Sequence, residues 1–383
     1  MTLGAEQLLN LVALAAALVA RHGIADAARR SPVAARLRLV YGLVAALLAL
    51  RLGHGLWPAK PVVAALMIAA AWLPYATLRL AEEIVRRHAP RLVKIAALAG
   101  SLAFSLLALT LGLVWSGPAI AALAGFQAAM TLCVILLLTA NRRSVSPAER
   151  QAADMVALAL ALSIPLALTD FRLLFPGLPV RGGAFALLVL VLAASRLSGE
   201  DARPRMLIAD LLLVAAGGGA TALFLVVSAP EGWRQALFPV GAGSAAMLAL
   251  AILVERVAMR RDGTPDIVGA LARVPADDGR QALLAAHPML SRGIPVSAAA
   301  LADFPQETLA ELARYRMISA GTLEEGSVLG DAARDLLQRH AATHLLRLSV
   351  APPCFLAVSA GGLADARTDE ELEVAARLLE SAP

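Results

Sequence analysis

Charge is what this sequence has least of. Only 16% of its 383 residues are Asp, Glu, Lys or Arg, while 59% are hydrophobic and the mean hydropathy is +0.72. An ordinary soluble domain is about 25% charged and about 45–50% apolar. One or two soluble cores could not hide this much apolar surface, so a soluble enzyme of this length is excluded and lipid must serve as solvent for most of the chain. Cysteine is scarce too. Cys133 lies in an apolar run and Cys354 in the C-terminal tail, which argues against a disulfide framework and a thiolate metal site. Lysine is absent after residue 254. The glycine runs Gly217-Gly218-Gly219 and Gly241-Ala242-Gly243-Ser244 lack the preceding strand and following Lys-Ser/Thr of a phosphate loop, and read as close helix packing. No cofactor is expected.

What is present is a charge asymmetry. Residues 1–254 carry a net +10 and residues 255–383 a net −5. The isoelectric point of about 9.8 therefore averages a basic membrane part and an acidic tail, and gives no case for nucleic-acid binding. Nine apolar runs have the roughly 17–25 residues of a membrane-crossing helix. They lie near Leu3–Ala20, Leu39–Trp57, Pro61–Leu78, Ile95–Trp115, Ala119–Ala140, Asp154–Asp170, Leu173–Ser195, Met206–Ser228 and Gln235–Val254. Nothing basic precedes the first, which sets it apart from a signal peptide. Lys and Arg alternate across the connections, with 19 on one side and five on the other. By the positive-inside rule this predicts an outside N-terminus and a cytoplasmic tail. Trp57, Trp115 and Trp233 fall at predicted outer ends, where indoles favour the interface.

From Glu255 the composition turns to charges, turn residues and amphipathic segments, enough for one small domain. Helices are expected at Arg280–Ala286, Pro305–Tyr315 and Gly330–His340, and strands at Leu345–Val350 and Cys354–Ser359 around Ala351-Pro352-Pro353. Thr368-Asp369-Glu370-Glu371 reads as a capping box opening a last helix, with Thr368 at N-cap and Glu371 at N3. The predicted organisation is thus a helical membrane domain over 1–254, followed by a cytoplasmic α+β domain over 255–383.

The ending "HLLRLSVAPPCFLAVSAGGLADARTDEELEVAARLLESA" resembles the closing strand–turn–strand–helix of a GAF domain. The segments "LPYATLRLAEEIVRRHAP" and "NRRSVSPAERQAADMVALALALSIPLALTDFRLLFPGLPVRGGAFALLVLVLAASRL" resemble the multi-span sensory region of bacterial sensor histidine kinases. The sequence carries no phosphoacceptor His segment, ATP-binding boxes, cyclase or DNA-binding module. The resemblance therefore implies a sensor architecture in the bacterial inner membrane, with no catalytic output of its own. Its cytoplasmic partner would be a kinase or regulator, and a homodimer is compatible.

Ionisable residues inside spans mark candidate sites. Arg51 lies about two turns inside Trp57, His54 one turn beyond it, and Asp170 and Arg172 at the outer end of the sixth span. Arg51 facing Asp170 would make a polar pocket for an extracytoplasmic ligand. The plainer arrangement, which the sequence favours, has Arg51 snorkelling outward and Asp170 meeting water. Arg51, His54 and Asp170 are the sensing candidates. Asp210 is expected to pair with Arg203 or Arg205, Asp154 to open the sixth span, and Gln127 to hydrogen-bond a neighbouring helix. Glu82, Glu83, Arg86, Arg87, His88 and Arg91 read as a solvated helical loop. His340 and His344 have a metal pair's spacing without a third ligand, and Cys354 reads as a buried strand residue. The leading expectation is a membrane sensor or signalling adaptor. A transporter, or an enzyme acting on lipid-linked substrates, should show polar groups through the midplane, where Gln127 stands nearly alone. A scaffold subunit of a membrane complex remains the third reading.

Overall fold

The computed structural model describes residues 5–25, 27–29, 31–85, 87–110, 117–140, 147–170, 181–197, 204–228, 237–262, 267–275, 279–319, 327–340, 342–359 and 366–382. They fall into two compact units, Met1–Met259 and Arg260–Pro383. The division lies just past the expected boundary at residue 254, because the last bundle helix runs on to Asp262.

Among the described residues the first unit contains nine α-helices. They are α1 (Ala5–Gly23), α2 (Pro32–Leu56), α3 (Lys60–Val85), α4 (Arg91–Leu109), α5 (Gly117–Ala140), α6 (Pro147–Leu168), α7 (Gly183–Arg196), α8 (Pro204–Ser228) and α9 (Leu237–Asp262). Seven of them, α2 to α6 with α8 and α9, are long and apolar enough to cross a membrane. This is a multi-pass membrane protein.

The other two expected spans, α1 and α7, fall short of that length and hydropathy for two physical reasons. Helix α1 has 19 residues, but Glu6, Gln7, Asn10, Arg21 and His22 dilute its hydropathy. Helix α7 has only 14 residues, about 21 Å against a hydrocarbon thickness of about 30 Å. Its surroundings differ from those of the others. Twelve of its residues are buried, packed against α1, α2, α6 and α8. Its all-round apolar sequence is that of a helix enclosed by protein. By contrast α4, α5 and α8 bury only 17% of their most apolar windows and turn Leu92, Ile95, Leu106, Leu212 and Leu223 outward, as lipid-facing helices do.

Local sequence explains several helix details. Ser31 caps α2, its Oγ accepting the Ala34 N–H at 3.4 Å, with Pro32 at the first helical position. Pro74 lies inside α3 and has no N–H to give the Ala70 carbonyl four residues back. Gln127 of α5 supplies the missing donor, its Nε2 lying 2.8 Å from Ala70 O. Ser101 of α4 likewise donates to Ala71 O at 2.8 Å. Thus the mid-span amide does bond a neighbouring helix, at a carbonyl that proline left open. The glycine runs also pack as expected. A Cβ on Gly218 would stand 2.7 Å from Gly241 O, so α8 and α9 meet at backbone distance. Asp154 does not open its helix, because α6 begins at Pro147 and places it about two turns in.

The second unit contains α10 (Ile267–Ala272), α11 (Gly279–Ala286), α12 (Pro288–Ser291), β1 (Ile294–Pro295), α13 (Ala298–Leu301), α14 (Gln306–Leu312), β2 (Met317–Ser319), α15 (Val328–Arg339), β3 (His344–Ser349), β4 (Cys354–Val358) and α16 (Ala366–Ser381). The strands form one antiparallel sheet in the order β1-β4-β3-β2. Strand alternation divides its side chains between two cores. Leu345, Phe355 and Ala357 join Leu312, Leu336 and Leu337 of α14 and α15. Leu346, Leu356 and Val358 join Ile267, Leu372, Ala375 and Leu379 of α10 and α16. The hairpin β3–β4 and all three expected helices are present. The short strands β1 and β2 had no periodicity long enough to read. Helix α16 begins at Ala366, ahead of Thr368, and the Glu371 carboxylate accepts the Ile267 N–H at the start of α10 at 3.0 Å.

Candidate functional site

One cluster of polar residues in the bundle lies where α2 ends, and Trp57, the C-cap of α2, is 73% exposed there. Three chain segments meet. The last turns of α2 bring Arg51, the turn after α6 brings Thr169 and Asp170, and the start of α7 brings Arg181, Gly182 and Gly183. The turn is tied locally: Thr169 Oγ1 donates to Leu166 O at 2.6 Å and accepts the Gly182 N–H at 2.6 Å. Asp170 Oδ1 accepts the Gly183 N–H at 2.9 Å, which sets a carboxylate on the N-terminus of α7 where the helix dipole favours it. Its other oxygen, Oδ2, takes the guanidinium of Arg51. Gly183 is required by this approach, since a Cβ there would collide with the carboxylate.

The snorkelling arrangement is therefore not the one adopted, because Arg51 closes onto Asp170. The pair is part-buried, with 28% of the Arg51 side chain and 16% of the Asp170 side chain exposed. Two weaker contacts flank it. Arg181 reaches Glu6 of α1 at 3.3 Å, and Gln7 Nε2 reaches the Gly55 carbonyl at 3.5 Å. One turn along α1, Asn10 is buried with no hydrogen-bond partner for Oδ1. His54 is exposed at the end of α2 and is not drawn onto the pair. Arg172, Trp115 and Trp233 lie outside the described residues.

Chemically the arrangement is a clasp. It joins α2 to the α6–α7 turn through one carboxylate that satisfies a guanidinium and a helix N-terminus together. A carboxylate or other anion entering at this end would compete with Asp170 for Arg51.

Two further charged junctions escaped the sequence reading. Arg203 lies outside the described residues, and Asp210 of α8 does not pair with Arg205. It receives Arg196 of α7 in a bidentate bond at 2.7 and 2.8 Å, and Arg256 of α9 as well. Glu82 is not on a solvated face. Its side chain is 4% exposed and accepts the Ala89 N–H at 2.6 Å, Arg79 at 2.7 Å and Lys94 at 2.8 Å, pinning α3 to α4. The available signal was an acidic residue close to a helix end with arginines nearby in sequence. Which arginine closes on it depends on helix neighbours that are distant in sequence.

In the second unit His340 is the C-cap of α15, while His344 is buried on β3 with Nε2 2.9 Å from Asp369. Their rings serve different elements. No group of three His, Cys, Asp or Glu placed to hold a metal occurs among the described residues. Cys354 is half-buried, against the α10–α16 core.

Comparison of the chain with protein-family models, with curated proteins and with solved structures finds no match.

Proposed function

We propose that this chain is a bacterial inner-membrane sensor or signalling adaptor. Its outer polar end responds to an extracytoplasmic or membrane stimulus, and its cytoplasmic α+β domain passes the response to a partner without chemistry of its own. The observation that carries the reading is the Arg51–Asp170 clasp. A charge pair that fastens one helix to the turn between two others is a two-state element, closed as it stands or opened by a competing anion. A difference of a few kcal/mol between two helix packings is enough to shift such an equilibrium. In this reading α1 and α7 also cross the bilayer, α7 as a short helix sheltered by its neighbours, which is where a helix shorter than the membrane is tolerated. The Lys/Arg alternation then places the N-terminus outside and the second unit in the cytoplasm. An antiparallel sheet between helical layers, closing through β3, β4 and α16, supports a GAF-like role for that unit.

Co-purification from crosslinked native cells tests the proposal, using the full chain and a form lacking residues 260–383. A kinase or response regulator recovered only with the full chain is the expected result. An identical set of partners for both would overturn it and turn attention to transport or scaffolding by the bundle.

A further inference from the structure

A depression of about 450 Å³ opens at the free edge of the sheet in the second unit, lined by Arg314, Tyr315, Arg316, Met317, Arg347 and Glu373. Its electrostatics follow from which charges are already spent. Arg347 is buried on β3 and gives its NH2 to both oxygens of Glu380, at 2.8 and 2.7 Å, and its NH1 to the Ala313 carbonyl. Glu373 is engaged by Arg377 at 3.4 Å. The two carboxylates beside the depression are thus committed to arginines. Arg314 has no partner for its guanidinium among the described residues, and Arg316 has only a long contact to Glu380 at 3.6 Å. Both arginines are exposed. The backbone that carries them is held firmly, since the Arg347 N–H donates to Arg316 O at 2.8 Å and Ile318 pairs with Leu345.

The free guanidinium of Arg314 and the loosely held one of Arg316, two residues apart on the turn that leads into edge strand β2, form a donor array suited to an anion with several oxygens. A phosphate matches the planar fork of arginine best. The depression exceeds the size of one phosphate and lies within the range of small-ligand sites. The phenol and ring of Tyr315 and the adaptable thioether of Met317 offer a wall for an organic body.

We propose that this edge of the second unit binds a phosphate ester through Arg314 and Arg316, with Arg347, itself held by Glu380, fixing the turn that presents them. The ester is either a soluble phosphorylated metabolite or the headgroup of an anionic phospholipid. The site stands independently of the sensing reading, since it needs neither the clasp nor a protein partner.

The test uses the full chain in nanodiscs and radiolabelled inorganic phosphate as the probe. In phosphatidylcholine discs, saturable binding is expected, weakened at least tenfold by Arg314→Gln with Arg316→Gln. The control Arg334→Gln on α15 should leave it unchanged. Hydrogen exchange in β3 should match the parent chain, which separates loss of the site from loss of the fold. Repeating the measurement in phosphatidylglycerol discs identifies the source. Blocked phosphate binding there means the lipid headgroup already fills the site, and unchanged binding means a soluble ligand. Absence of binding to millimolar phosphate in phosphatidylcholine, or binding indifferent to the paired substitution, overturns the proposal.

Discussion

At the scale of single residues, the bundle shows that a charge inside a span is defined by its partner. Arg51 alone could reach water along its own stem. With Asp170 anchored by the Gly183 N–H, the guanidinium instead finds a fixed carboxylate in surroundings drier than bulk water, where the attraction is larger. Removing one member leaves the other charge part-buried and unpaired, which costs more than removing both. Unfolding in mixed detergent micelles should show Arg51→Ala and Asp170→Ala each destabilising the bundle by about 1–3 kcal/mol. The double variant should lose clearly less than the sum. Strict additivity would mean that the two residues act separately and that the clasp carries no energy.

At the scale of elements, the second unit holds together through contacts that bridge strands and helices. The Arg347 hydrogen bonds to Glu380 join β3 to α16 and hold the Glu380 carboxyl below its ordinary value of 4.5, against the opposing effect of burial. A carboxyl lowered in the folded state contributes stability that is complete above its unfolded value. That stability is lost as pH falls through the lowered one. Hydrogen exchange in β3 and α16, with labelling times corrected for pH, should therefore show progressive loss of protection as pH drops below the usual glutamate range. Glu380→Gln should reduce protection by about 1–2 kcal/mol at neutral pH and flatten the acid response. If Glu380→Gln is as stable as the parent at neutral pH, the pair contributes nothing beyond geometry.

At the scale of the whole molecule, topology turns on whether α7 crosses. If it does, the connections before and after it lie on opposite faces, and the Lys/Arg alternation holds along the chain. If it is a re-entrant segment, they share a face and the parity changes from α7 onward. Single cysteines replacing Ala59 and Glu200, in a chain with Cys133 and Cys354 replaced by serine, should label from opposite sides of intact cells with a membrane-impermeant maleimide. Position 59 is expected outside and position 200 inside. Labelling of both from outside would remove the cytoplasmic placement of the second unit, and with it the sensing proposal.

Composition and periodicity by themselves determined that lipid is the solvent for most of this chain, because apolar excess is additive and needs no knowledge of neighbours. They located the apolar helices, though α7 starts ten residues later and α9 ends eight residues later than expected, and the β3–β4 hairpin with its flanking helices, since period and turn chemistry are local. The glycine contact between α8 and α9 and the interhelical role of Gln127 were legible for the same reason: a small or amide side chain in lipid has few other uses. Only the tertiary structure decided that α7 is enclosed and short, and that Gln127 answers the carbonyl Pro74 left open. It alone closed Arg51 on Asp170, gave Asp210 to Arg196 and Arg256, and buried Glu82 under three donors. Each of these joins segments separated along the chain, and electrostatic pairing depends on distance in space, which sequence spacing does not encode.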